Sequence, residues 1–182
     1  MTPVIPNTVK ALGDPMQIAF VTADIEATAA FWIETMGVGP FYAMRDARAT
    51  MDFFTYRGRP CVAEITVMVA YWGEIQVELI QQHNDVPSVY REGPGPDKGL
   101  HHICIIVDEI DAAVERCVSA GGELVQAGAS GQNRFVYMDM HGAAGTIVEM
   151  LAPTPEIRAY QAQMKAIARD WDGNRPIRAF GE

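Results

Sequence analysis

An internal repeat restricts the fold of this chain more than any other feature of the sequence. When the sequences of the two halves are aligned, residues 17–21 match residues 102–106, and Gly37 matches Gly122. Each half shows an apolar strand, then an amphipathic helix, then three further strands. The sequence therefore predicts an α+β fold made of two tandem βαβββ modules.

The predicted elements follow from apolar periodicity and from glycine and proline positions. In the first module we predict a helix at 24–36 and four strands, at 16–22, 41–44, 59–71 and 74–81. In the second module they are 100–107, helix 110–120, 123–126, 134–140 and 146–151, with a turn at 141–145. The chain thus divides into a lead-in at 1–15, a first module at 16–83, a linker at 84–99, a second module at 100–152 and a helical tail at 153–182.

The tail carries a one-sided apolar stripe. Tyr160, Met164, Ile167 and Trp171 recur at helical spacing, which predicts a C-terminal helix that packs on the body of the protein or on a partner chain.

Composition excludes several classes of function. A formal net charge of -9 with no basic run argues against nucleic-acid binding. No apolar stretch approaches the roughly 20 residues that span a bilayer, and the N-terminus lacks the pattern of a signal peptide. The three cysteines have no CxxC spacing, so we expect a reduced, cytoplasmic protein.

Each half ends in a glutamate between apolar neighbours, Glu78 after Val77 and Glu149 after Val148. Such a carboxylate must face solvent or a group that compensates its charge. Its occurrence at matching ends of a repeat predicts a pair of metal ligands. Strand alternation places Gln17 and His102, at the heads of the two first strands, on the same concave face as these glutamates.

Alternation also divides the strand that precedes Glu78. We expect Ile65, Val67 and Val69 to pack beneath the helix, and Glu64, Thr66 and Met68 to face the concave side. The concave face then carries an apolar set that favours a substrate with a hydrophobic body: Ala19, Val21, Met68, Ala70, Cys104 and Ile106.

At this point the sequence resembles the vicinal oxygen chelate superfamily, which contains glyoxalases, bleomycin-resistance proteins and extradiol dioxygenases. The resemblance covers residues 16–152, and the segment Gly99-Leu100-His101-His102-Ile103-Cys104 is similar to the second-module opening of methylmalonyl-CoA epimerases. It implies two βαβββ modules with curled mixed sheets around one divalent metal ion. The implied ligands are Gln17, Glu78, His102 and Glu149, a set similar to that of glyoxalase I.

The resemblance implies an isomerase, epimerase or lyase that abstracts a proton next to a carbonyl and stabilises an enolate on the metal. Two carboxylates with neutral Gln and His ligands suit Zn, Ni, Co, Mn or Mg. Glu64 is the first candidate for the base, by similarity to the epimerases. Glu149 is the alternative, since the last carboxylate ligand of glyoxalase I also acts as a base.

Other functions stay open at this stage. The chain is a candidate for a metal-free binding protein that sequesters a small molecule, or for an Fe(II) ring-cleaving dioxygenase. The expected partners are a small-molecule substrate and a second copy of the chain in a homodimer, and the site lies within one chain or across that dimer. The sequence does not decide the metal, the substrate or whether the site is catalytic.

Overall fold

The computed structural model describes residues 8–142 and 146–182; the rest of the predicted lead-in (1–7) and of the predicted 141–145 turn lies outside this part of the chain. The strands are β1 (Pro15–Val21), β2 (Phe41–Met44), β3 (Phe53–Tyr56), β4 (Arg59–Pro60), β5 (Ile65–Trp72), β6 (Ile75–Gln82), β7 (Leu100–Ile106), β8 (Glu123–Ser130), β9 (Asn133–Asp139), β10 (Ile147–Ala152) and β11 (Ile177–Ala179). The helices are α1 (Ile25–Glu34), α2 (Val89–Glu92), α3 (Ile110–Ser119) and α4 (Pro155–Arg169), with short 3-10 helices at Val9–Leu12 and Ala47–Thr50.

These strands form one curled mixed sheet, in the order β11-β2-β5-β6-β1-β7-β10-β9-β8-β3-β4. The α+β fold predicted from the repeat is confirmed. One helix covers the outer face of each half: α1 packs Ile25, Ala29 and Trp32 against β5 and β6, and α3 packs its apolar stripe against β9 and β10. Helix α1 begins where the sequence indicates, because the carboxylate of Asp24 accepts from the Ala27 amide at 3.0 Å.

The two halves meet along β1 and β7, which pair antiparallel with Ala19 opposite His102 and Gln17 opposite Cys104. Gln17 and His102 are equivalent in the repeat, as are Ala19 and Cys104, so the pairing has approximate two-fold symmetry. The glutamates obey the same symmetry. Glu78 pairs with Ala19 on β1, and Glu149 pairs with Cys104 on β7.

The predicted strand at 59–71 is wrong, because the structure contains a hairpin and a separate strand in this region. Arg57 and Gly58 have φ values of 47° and 72°, which make the tight turn between β3 and β4. Pro60 cannot donate to a sheet ladder and ends the short β4. The hairpin leaves its own half, since β3 pairs with β8 at the far edge of the other half.

The predicted facing of β5 is also wrong. Ile65, Val67 and Val69 line the interior cavity, whereas Met68 and Ala70 pack with the residues that contact α1. Glu64 shares the face of Met68, so it does not point into the concave side. Both faces of β5 are buried, and a strand buried on both faces has no polar alternation from which its direction can be read.

The tail packs on the body of the protein. The hydroxyl of Thr154 caps α4 by accepting from the Ile157 amide at 3.4 Å, and Met164 is buried against the core cluster inside the sheet. The rings of Tyr42 and Phe180 lie 5.9 Å and 5.0 Å from that of Tyr160, so α4 lies across the open side of the curled sheet. Within the described part of the chain, no helix combines the length and the apolar character needed to cross a membrane.

Candidate metal centre

Three side chains of the predicted ligand set meet at the centre of the curled sheet. The potential ligand atoms of Glu78, His102 and Glu149 all lie within 4.8 Å of one another. His102 Nε2 is 3.3 Å from one carboxylate oxygen of each glutamate. These contacts are close enough for ion pairs, but their geometry leaves His102 Nε2 and Glu78 Oε2 without a hydrogen-bond partner within residues 8–142 and 146–182.

Gln17, the fourth predicted ligand, lines the interior cavity that Glu78 and Glu149 also line. Its side-chain nitrogen donates to Gln76 Oε1 at 2.7 Å, and this bond fixes the direction of the amide. Its oxygen is buried and has no hydrogen-bond partner among the described residues. A buried oxygen with no partner is costly, so Gln17 Oε1 is available for a ligand in the cavity.

This donor set fits a divalent cation. Two carboxylates, one imidazole nitrogen and one amide oxygen are hard or borderline ligands, and the two negative charges balance a dication. Three of the donor atoms have no hydrogen-bond partner in the described part of the chain, as expected of atoms that bind a metal. Among the described residues the cluster contains one imidazole and two carboxylates, which departs from the two histidines and one carboxylate typical of Fe(II) oxygenases.

Electrostatics in the cluster favour a positive charge between the carboxylates. Burial opposes the charged form of His102, but its interactions with the carboxylates of Glu149 and Glu78 outweigh the effect of burial and raise its pKa to about 9. Burial raises the pKa of Glu78, and His102 partly offsets this effect. Without a metal, a proton on His102 supplies the charge that a dication would otherwise supply.

Sequence reasoning missed two tyrosines next to this cluster. The hydroxyls of Tyr90 and Tyr137 lie 3.1 Å apart, and both rings line the cavity. Burial raises the pKa of each well above its usual value, so both hydroxyls stay protonated. Tyr137 could have been found from its position in an alternating strand, but Tyr90 lies in α2 within the predicted linker, where no periodic pattern marks it.

Glu64, predicted as a candidate base, is not part of this cluster. It is exposed and precedes β5, with its amide donating to Asn84 Oδ1 and its carbonyl accepting from the His83 amide. It does not line the cavity. Glu149, the alternative base, does line the cavity.

The cavity above the cluster has a volume of about 560 Å³, which is in the range of small-molecule sites. Its walls are mainly apolar side chains of the sheet interior, among them Ile65, Val67, Ile80, Phe135 and Leu151. Ile157 and Met164 of α4 and Phe180 complete the enclosure. Arg45 is the only cation among the described residues that line it, and it pairs with Glu26 at 2.6 Å.

Comparisons with solved structures agree with this fold. Methylmalonyl-CoA epimerase from Mycobacterium tuberculosis superposes with a TM-score of 0.54 at 17% identity, covering 80% of this chain and 91% of that one. A Streptomyces coelicolor methylmalonyl-CoA epimerase variant in complex with 2-nitronate-propionyl-CoA gives 0.52 at 14% identity, covering 79% and 99%. The hypothetical protein BH1468 from Bacillus halodurans gives 0.54 at 13% identity, covering 78% and 94%.

The sequence itself identifies a family. No curated protein matches the chain. Residues 16–137, more than half of the chain, match the family described as the glyoxalase/bleomycin resistance protein/dioxygenase superfamily. This match and the two-fold arrangement of βαβββ halves show that the protein belongs to the glyoxalase/bleomycin resistance protein/dioxygenase superfamily.

Proposed function

We propose that this protein is a divalent-metal-dependent isomerase, epimerase or lyase that moves a proton at a carbon next to a carbonyl group. One observation carries the proposal: potential ligand atoms of Glu78, His102 and Glu149 lie within 4.8 Å of one another. Gln17, whose buried Oε1 has no hydrogen-bond partner among the described residues, lines the apolar cavity that both glutamates line. We assign all four as ligands. When bound, the cation would supply Lewis-acid stabilisation of negative charge on a substrate oxygen.

Glu149 is our candidate for the base. A base must reach the reacting carbon, and the carboxylates deep in the cavity are Glu78 and Glu149, whereas Asp46 lies at its exposed rim. We assign Glu78 as a ligand alone and Glu149 as a ligand that also accepts and returns the proton. The protonated hydroxyls of Tyr90 and Tyr137 are placed to donate to a substrate oxygen.

The cavity also supports a class of substrate. Its apolar walls fit a carbonyl compound with a hydrophobic body. The epimerase neighbour described above holds a coenzyme A ester, and the phosphates of such a ligand need cationic partners. Arg45 is the only cation among the described residues that line the cavity, and it forms an exposed ion pair with Glu26 at 2.6 Å. We therefore propose a free carbonyl compound, or a thioester without a polyanionic tail, as the substrate.

Metal analysis and proton exchange test the proposal together. Protein purified without chelator should contain about one divalent ion per chain, since the site has one set of ligands. The loaded protein should catalyse solvent deuterium exchange next to the carbonyl of phenylacetone or of the N-acetylcysteamine thioester of 2-phenylpropanoic acid. The coenzyme A thioester of the same acid should exchange more slowly.

Two outcomes would contradict the proposal. Protein that holds no stoichiometric metal and gains no thermal stability from Zn, Ni, Co, Mn or Mg would favour the metal-free binding alternative. Loaded protein that exchanges none of these probes at a rate above the chelated control would argue against proton transfer at such carbons. Faster exchange of the coenzyme A thioester would overturn the assigned substrate class alone.

A further inference from the structure

His101 forms a hydrogen-bonded chain with the ligand His102. The two Nδ1 atoms lie 2.9 Å apart, and His101 Nε2 lies 3.0 Å from the backbone carbonyl oxygen of Val89. Both histidines are buried, with 2% and 1% of their surfaces exposed. These hydrogen bonds therefore connect the linker backbone through His101 to the imidazole of His102, away from solvent.

The hydrogen-bonding chemistry fixes the direction of each bond. A carbonyl oxygen only accepts, so His101 Nε2 carries a hydrogen and donates it to Val89. If His101 Nδ1 also carried one, His101 would be a buried cation without a carboxylate partner among its contacts, which is costly. His101 Nδ1 is therefore the acceptor, and His102 Nδ1 carries the hydrogen between them. In neutral His102 the lone pair then lies on Nε2, the atom that faces Glu78 and Glu149.

The linker holds the Val89 carbonyl in place from both halves of the protein. Ser88 caps α2 and donates to Gln82 Oε1 of β6 at 2.5 Å. The Val89 amide donates to Gln126 Oε1 of β8 at 3.2 Å. Gly93 leaves room for this arrangement, because a Cβ there would lie 2.6 Å from Val89 O and 3.1 Å from His101 Nε2.

We propose that His101 is a positioning residue that sets the tautomer and ring orientation of His102, so that Nε2 is the metal-binding atom. The inference rests on the proposed metal site and extends it to a residue outside the ligand set. Partners of this kind typically contribute 10–100-fold to metal affinity. The short helix in the linker is then part of the metal site through Val89.

Three substitutions separate the acceptor function of His101 from its packing. In His101→Asn the amide oxygen replaces Nδ1 and still accepts from His102. In His101→Gln the amide nitrogen replaces Nε2 and still donates to Val89, but the acceptor is lost. His101→Phe keeps the ring and loses both bonds. We expect Co²⁺ affinity, measured by chelator competition, to fall about 10–100-fold in the Gln and Phe variants and by only a few fold in Asn.

A spectroscopic readout tests the tautomer directly. In zinc-loaded protein with ¹⁵N-labelled histidine, His102 should show a protonated Nδ1 and a metal-bound Nε2 in long-range ¹H–¹⁵N correlation spectra. In the Gln and Phe variants the Nδ1 proton should exchange faster with solvent. Gly93→Ala, which changes no imidazole, should lower metal affinity in the same direction by displacing Val89 or His101.

Several results would overturn the inference. Equal metal affinity in the Asn, Gln and Phe variants, or the best retention in Phe, would assign His101 to packing alone. Metal bound through His102 Nδ1 would contradict the tautomer. If the Phe variant does not fold, the Asn and Gln variants decide the question. Both lack the ring, so they differ in which hydrogen bond they keep. A wild-type protein that binds no metal would contradict the proposed function and, with it, the assignment of His102 Nε2 as a metal-binding atom.

Discussion

The two halves of the site hold equivalent positions but different chemistry. Gln17 and His102 are related by the repeat, and so are Glu78 and Glu149. The amide of Gln17 is oriented by Gln76 on the neighbouring strand, whereas His102 is oriented by His101 from its own strand. The repeated fold thus decides where each of these side chains lies, while local partners decide which atom it presents.

The largest effect is expected from comparing the two glutamates. Glu149→Gln should lower the rate of deuterium exchange about 10²–10⁴-fold at saturating metal, because it removes a general base. Glu78→Gln should weaken metal binding but leave much of the exchange rate once metal is saturating. Rates and metal occupancy would be measured on the same samples. Equal loss of exchange in both variants at full occupancy would remove the distinction between the halves.

The second largest effect is expected from comparing Gln17 and His102, the proposed ligands near the starts of β1 and β7. His102→Ala should lower Zn²⁺ affinity by more than about 100-fold, above the loss typical of an outer partner. Gln17→Ala should lower it by about tenfold, since an amide oxygen binds a borderline metal more weakly than imidazole does. Chelator competition would measure both. A larger loss for Gln17→Ala would show that the first half provides the dominant ligand.

The stability of metal-free protein should depend on pH through both histidines, in opposite directions. The pKa of His102 is raised from 6.5 to about 9, so its stabilisation is complete below pH 6.5 and is lost as the pH rises to 9. The pKa of His101 is lowered to about 3, so its contribution is present above pH 6.5 and is lost as the pH falls. Each histidine changes the free energy of unfolding by about 3–5 kcal/mol at most.

Urea unfolding of chelated protein at pH 5, 6.5 and 8.5 would measure this dependence. The free energy of unfolding should be greatest near pH 6.5. His101→Asn should remove the loss on the acidic side and retain the loss on the alkaline side. A free energy of unfolding that stays constant over this range in wild-type protein would contradict the charge assignments of both histidines.

The smallest effect is expected from Glu64→Gln, a matched control for Glu149→Gln. Glu64 is exposed and lies outside the cavity, so exchange should stay within about twofold and stability within about 0.5 kcal/mol of wild type. Exchange assays and thermal unfolding would measure both. A hundredfold loss of exchange would return Glu64 to the site and require a different arrangement of β5.

Much of this fold could be predicted from the repeat because the periodic segments are long and the helix signals are local. Asp24 and the glycine after α1 mark helix ends by chemistry that needs no distant contact. The β3–β4 hairpin could not be predicted as such, because its partner β8 lies in the other half of the sequence. Strand pairing over such a distance leaves no periodic signal in either segment.

The site also has members that the sequence predicts and members that it does not. Three members of the predicted ligand set meet because a two-residue period fixes their faces once the strand pairing is known. The direction of β5 could not be fixed, since apolar residues occupy both of its faces. Tyr90 and the Val89 carbonyl reach the site through the linker, whose proline- and glycine-rich sequence indicates only turns.

The crossing of β3 to the far edge of the sheet also affects how the chain could be divided. A fragment that ends within the linker would keep β3 but lose β8, its pairing partner, and would expose an unpaired strand edge that favours self-association. The complementary fragment would lack the strand that covers its own edge. The two halves share one pattern, yet neither is expected to fold alone, and co-expressed fragments should assemble into a single two-chain protein.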